Sequence, residues 1–208
     1  MGNTAFIKAR AKNIGVYLHW NGGIDSVEAF LEYCKMKGYR SFDDSYGLAR
    51  FCQVVGNFFG GSCSLGIETM VHPTEDIASG YDNGIYEVEG WEIVNRISAP
   101  QGREGYDRKE MLIGIDEAQP TNEQFGKDYF EAETIVVENL KIGDRVYVFD
   151  NLECKPEIHE VVGFGEDKFC NGTNVLGMPY VDKYLNDGTY ANNINNYITE
   201  KTIKVLKK

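Results

Sequence analysis

Between Gly15 and Cys34 the hydrophobic period of the chain changes from two to about 3.6, and that switch constrains the fold more than any other feature. Val16, Leu18 and Trp20 alternate with Tyr17 and His19, the pattern of a strand with one buried face. The chain then turns on Asn21-Gly22-Gly23. Val27, Phe30, Leu31 and Cys34 follow at helical spacing, with Asp25 and Glu28 placed to form a capping box and Gly38 to end the helix. A strand that passes at once into an amphipathic helix implies helices packed on a sheet.

The neighbouring segments extend this pattern. Residues 4–9 read as a strand joined to the first by a polar turn at Lys12-Asn13, a hairpin. A second helix is predicted over 45–59, with Leu48, Phe51, Cys52, Val55, Phe58 and Phe59 on its apolar stripe and Gly60-Gly61 as its stop. Strands follow at 64–71 and 83–88, and Glu89-Gly90 turns the second of these into another at 91–96. Residues 99–105 are polar and form a loop; Asp107 and Glu110 then open a helix carrying Met111, Leu112 and Ile115, which stops before Pro120. Beyond about residue 128 the texture is β-rich: strands at 134–137, 145–149, 158–164 and 202–206, with Asn-, Gly- and Tyr-rich loops over 170–196. The expected architecture is α+β: an antiparallel sheet packed by two to three helices over residues 1–127, then a smaller β-rich module over 128–208.

Composition narrows the function classes. With 42% hydrophobic and 12% aromatic residues in 208, the chain can bury a core. No apolar run approaches the roughly 18 residues of a membrane span, and the N-terminus has no signal-peptide character, so a cytoplasmic protein without membrane contact is expected. Cys34, Cys52, Cys63, Cys154 and Cys170 are odd in number and form no CxxC pair, the mark of reduced thiols. A net charge of −11 argues against direct nucleic-acid binding. Between residues 105 and 138, nine carboxylates face only Arg108, Lys109 and Lys127, whereas Lys201, Lys204, Lys207 and Lys208 make a basic tail.

Several constellations carry alternative meanings. The turn His19, Asn21, Gly22, Gly23 is either a structural corner or a loop facing a small phosphorylated ligand, since a helix N-terminus attracts anions. It lacks P-loop and GxGxxG spacing, and no cofactor is expected. His19 could act as acid or base, but the sequence places no nucleophile beside it. Neither His72-Glu75-Asp76 nor Cys154-His159-Cys170 has metal-ligand spacing, and no metal site is expected. The acidic run is either a solvated face or an imitation of nucleic-acid phosphates, in which case Glu123, Asp128, Glu131 and Glu133 contact a partner. Tyr180, Tyr184 and Tyr190, set among asparagines, would supply adaptable contacts to the same partner.

Four strings, residues 17–23 (Tyr-Leu-His-Trp-Asn-Gly-Gly), 49–59, 82–86 and 91–94, resemble those of an uncharacterised family of bacterial and phage-encoded proteins found on mobile elements. The resemblance covers residues 1–119 and implies a context, not a chemistry. The resulting expectation is a non-enzymatic binding protein of phage type. Its partner would be a host protein or nucleoprotein complex, such as a CRISPR effector that it inhibits. Binding or sequestration of a nucleotide signal at the His19–Gly23 turn is the alternative, and an enzyme using His19 as base a third reading.

Overall fold

The computed structural model describes residues 3–98, 105–150, 155–166, 174, 176–182 and 197–206, and the chain divides into two compact units, Met1–Gln124 and Phe125–Lys208. Both are built around a five-stranded, mainly antiparallel sheet, and the fold class is α+β.

In the first unit, β1 (Ala5–Ala9) and β2 (Ile14–Leu18) form the expected hairpin. β3 (Leu65–Thr69) pairs with β2, and β4 (Ile85–Glu89) with β5 (Glu92–Ile97), giving the order β3-β2-β1-β4-β5. The central pair, β1 with β4, runs parallel. Parallel neighbours need a crossover, and here residues 70–84 carry the chain from β3 to β4. Met70, Ala78 and Tyr81 from that segment cover Phe6, Tyr17, Ile85 and Ile97 on one face of the sheet.

Ala5, Ile7, Ala9, Val16, Leu18, Tyr86 and Val88 share the other face by register and are fully buried. Over it lie α1 (Ile24–Met36) and α2 (Ser45–Phe58), which bury Val27, Phe30, Leu31 and Cys34, and Leu48, Phe51, Val54 and Val55, respectively. Phe30 stands edge to face with Phe51 and Phe58, at 6.4 and 5.3 Å, and Phe42 with Phe51 at 5.1 Å. Burying one such ring contributes about 1.5–3 kcal/mol.

The helix starts follow local chemistry with one correction. Asp44 caps α2 by accepting the Tyr46 N–H, and Asp107 caps α4 (Arg108–Glu117) by accepting the Glu110 N–H. The N-cap of α1 is Gly23, not Asp25. The turn is buried against β1, so the helix begins before Asp25 is reached; that carboxylate sits in the first turn and accepts the Gly105 N–H at 3.1 Å. Between β3 and β4 lies a single helical turn, α3 (Glu75–Ala78), capped by Thr74.

Polar side chains then tie α4 to α1 and α2. The Tyr33 hydroxyl donates to Asp116 Oδ1 at 2.7 Å in the interior. Burial, followed by that hydrogen bond, pushes the Tyr33 hydroxyl well above its usual range, so it remains a donor. Gln119 donates to the Ile115 and Val54 carbonyls at 2.8 and 3.2 Å and accepts from Asn57 at 2.9 Å. Lys37, also buried, donates its Nζ to the Glu123 carbonyl.

In the second unit, α5 (Lys127–Glu131) precedes β6 (Glu133–Val136), β7 (Arg145–Asp150), β8 (Lys155–Phe164), β9 (Pro179–Val181) and β10 (Thr202–Val205). The sheet order β6-β10-β7-β8-β9 inserts the last strand between β6 and β7. Val137, Leu140, Val146, Val161, Val181, Ile198 and Ile203 form its core. Among the described residues no helix is long and apolar enough to cross a membrane.

Tyr33→Phe removes the hydroxyl that donates to a buried carboxylate. It should destabilise the protein by about 1–3 kcal/mol, measured as a lower urea midpoint at unchanged slope.

Candidate functional site

The His19–Gly23 turn is built by close packing against β1. The Gly22 N–H donates to the Asn3 carbonyl at 2.8 Å, and the Gly22 carbonyl accepts the Tyr86 hydroxyl at 3.0 Å. A Cβ on Gly22 would stand 2.6 Å from the Asn3 carbonyl oxygen and 2.7 Å from Ala5 Cβ, so glycine is needed for this approach. Asn21 takes the left-handed conformation at φ 54°. Gly23 is buried as the helix cap, whereas His19 is exposed, with Nδ1 2.9 Å from the Tyr17 hydroxyl and its ring edge to face with Trp20 at 4.9 Å.

Tyr86 also connects this turn to a residue the sequence did not single out. The Arg96 guanidinium lies 4.8 Å from the centre of the Tyr86 ring, and its Nε donates to the Asn83 carbonyl at 3.0 Å. Its Nη2 is buried without a hydrogen-bond partner among the described residues. An arginine on an edge strand carries no local signal of this, because only strand pairing sets it over Tyr86.

Within the acidic run, Asp107, Glu110, Glu117, Asp128, Glu131, Glu133 and Glu138 are exposed. Glu123 is half-buried, Glu131 pairs with Lys127 at 3.5 Å, and Asp116 belongs to the interior. The run is shared between the two units. Tyr180 lies on β9, where the sequence suggests a loop. It is half-buried and edge to face with Tyr197 at 5.5 Å, and a Cβ on Gly163 would come within 2.4 Å of its hydroxyl. Tyr184 and Tyr190 lie outside the described residues, as do Cys154 and Cys170.

Histidine and cysteine positions follow from packing. His159 Nδ1 is 3.0 Å from Asp182 and its Nε2 is 3.3 Å from Glu157. Among the described residues no three His, Cys, Asp or Glu side chains are grouped to hold a metal ion. Cys34 is buried, Cys52 half-buried and Cys63 exposed. Burial pushes the Cys34 thiol well above its usual value and the Cys52 thiol up to about 11.

A cleft of about 520 Å³ opens between α1, β5 and the start of α4. Leu31, Met36, Trp91 and Ile93 supply its apolar lining. Trp91 is fixed by its Nε1–H, which donates to the Tyr39 carbonyl at 3.1 Å, and by edge contact with Phe42 at 6.1 Å. Charge lines the rim: Arg108 bridges Glu28 at 2.9 Å and Glu32 at 2.5 Å, and Lys35 meets Glu92 at 2.5 Å. Burial alone would lower the Arg108 pKa, but Glu32 and then Glu28 outweigh it and hold the guanidinium above its usual value. The helical stripe and the β4–β5 hairpin were each legible in the sequence, yet the cleft arises only where they meet.

The chain matches no family model, no curated protein and no solved structure in comparisons with each.

Two tests follow from this geometry. Gly22→Ala should lower stability by about 1–3 kcal/mol through overpacking against β1, seen as a lower melting temperature. At pH 8, iodoacetamide should label Cys63 while sparing Cys34 and Cys52, because raised pKa values leave little thiolate at that pH; mass spectrometry of the digest reads the order.

Proposed function

We propose that this is a non-enzymatic binding protein of phage or mobile-element type that occupies a cationic surface of a host macromolecule. The partner is a host defence nuclease complex, such as a CRISPR effector, whose nucleic-acid groove the carboxylates would fill in place of phosphates. The exposure of seven of the nine carboxylates in the acidic run is the observation that supports this reading. Only three cations share that run, and two of them, Arg108 and Lys127, are engaged by carboxylates. Exposed carboxylates steer association with a basic groove and make it salt-dependent. Asp128, Glu131 and Glu133 are the exposed contact residues, with half-buried Glu123 and Tyr180 in their own units.

A second reading draws on Arg96, whose guanidinium lies over Tyr86, the residue bonded to Gly22, and whose buried Nη2 has no hydrogen-bond partner among the described residues. An anion such as a nucleotide phosphate at the His19–Gly23 turn would suit that charge. A thermal-shift panel of nucleotides separates the two readings, since only ligand binding raises the melting temperature.

Affinity capture of the tagged protein from host lysate tests the first reading. A nuclease complex should be retained in stoichiometric amount at low salt. Reversing Asp128, Glu131 and Glu133 to lysine should reduce its recovery about tenfold or more. Recovery that ignores both salt and charge reversal would sink the mimicry.

A further inference from the structure

We propose that β3 is a self-pairing edge, through which two copies of this chain join their first sheets into one about a two-fold axis at Ile67.

The edge carries none of the usual obstacles to pairing. β3 ends the sheet order, and the chain around it is described without a break from residue 58 to residue 85. Sheets commonly blunt such an edge with a lysine, a proline or a bulge. β3 has no lysine or proline, and its five residues pair with β2 in one unbroken register. On the β2 side the ladder is complete: Ser64 accepts the His19 N–H and Met70 donates to the Asn13 carbonyl, both at 2.9 Å. Backbone groups alternate sides along an antiparallel strand. Gly66 and Glu68 therefore also turn toward β2, while Leu65, Ile67 and Thr69 direct their N–H and C=O groups outward.

At this edge the apolar layer runs past its cover. Ile67 stands beside Val16, which is fully buried under the helices, yet Ile67 on the same face is 58% exposed. Charge selects what can cover it. Over residues 45–71, which hold α2 and β3, Arg50 and Glu68 are the only charged side chains, although charged residues make up 25% of the chain. Depletion of charge marks the core of a protein interface. A basic partner would find one carboxylate here and many elsewhere. Two copies, each with a net charge of −11, repel one another in general, and a flank whose two charges cancel is where they can meet.

The strand is complementary to itself. Turned antiparallel about Ile67, the sequence Leu65-Gly66-Ile67-Glu68-Thr69 sets Ile67 against Ile67, Leu65 against Thr69, and Gly66 against Glu68 of the second copy. The outward-pointing residues 65, 67 and 69 then form the hydrogen-bonded pairs, each pair exchanging two bonds. The carboxylate faces a glycine instead of its own image, and Ile67 gains an apolar neighbour across the strands. Such an interface is isologous and closes at two subunits. An axis normal to the sheet also keeps α2 of both copies on one face, so the charge-poor helices flank the joined edges.

Sedimentation equilibrium and residue-resolved amide exchange of the full chain test this. The mass of two chains is expected in concentrated protein. Its dissociation constant should fall as salt rises from about 0.05 to about 0.5 M, because like charges are screened; capture of a cationic partner has the opposite salt dependence. Ile67→Lys sets two ammonium groups face to face across the axis and should weaken dimerisation about tenfold or more. Val94→Lys on β5, at the other end of the sheet order, should leave it unchanged. In the unaltered chain, the amides of Leu65, Ile67 and Thr69 should exchange quickly when dilute and become protected when concentrated, while those of Gly66 and Glu68 are protected in both. A chain that stays monomeric up to about 1 mM, a dimer indifferent to Ile67→Lys, or a dimer whose outward β3 amides remain unprotected would overturn the proposal.

Discussion

Burial of β1 on both faces is the constraint on which the first unit depends. All five of its residues are buried. Ala5, Ile7 and Ala9 lie beneath the helices, while Phe6 is covered by the segment that crosses from β3 to β4. A strand covered on both sides can accept neighbours only along its edges, and β2 and β4 take those edges in opposite senses. Two glycines make the packing possible. Gly15 leaves room for the Phe6 ring, with a hypothetical Cβ only 2.5 Å from it, and Gly22 lets the turn into α1 press on Asn3 and Ala5. The turn that begins α1 is thus part of the wall around β1.

Several polar groups buried in this unit find their partners on other elements. Tyr33 on α1 answers Asp116 on α4, and Gln119 spans α4 and the carbonyl of Val54 on α2. Each bond is a modest net gain, but an unsatisfied buried group would cost more than the bond yields. This asymmetry fixes where α4 lies over α1, and with it the position of Arg108 at the rim of the cleft. The cleft therefore rests on a frame that specific interior hydrogen bonds hold in place.

Much of this was legible in local chemistry. The β1–β2 hairpin, both long helices, the Glu89-Gly90 turn and the Asp107 cap follow from hydrophobic period, glycine and capping residues, whose effects act over a few positions. Non-local consequences were not legible. Asp116 counts as one more carboxylate in an acidic run until Tyr33, 83 positions away, takes it into the interior. Asp25 looks like a helix cap because the sequence does not show that Gly23 is already buried against β1. Tyr180 reads as a loop residue, although β8 draws it into a strand over a glycine that leaves space for its ring.

By itself, the sequence determined that the chain is α+β, where its three longer helices and most strands lie, and that its net charge is strongly negative. Those properties are sums or short-range patterns: side-chain period, turn chemistry and net charge do not depend on which elements meet. The tertiary structure alone decided that β1 and β4 run parallel, that the glycines of the turn serve packing, and that α1 and β5 enclose a cleft with an apolar floor and a charged rim. Each of these depends on contacts between residues tens of positions apart, whose geometry is set by the simultaneous burial of apolar faces and the satisfaction of polar groups.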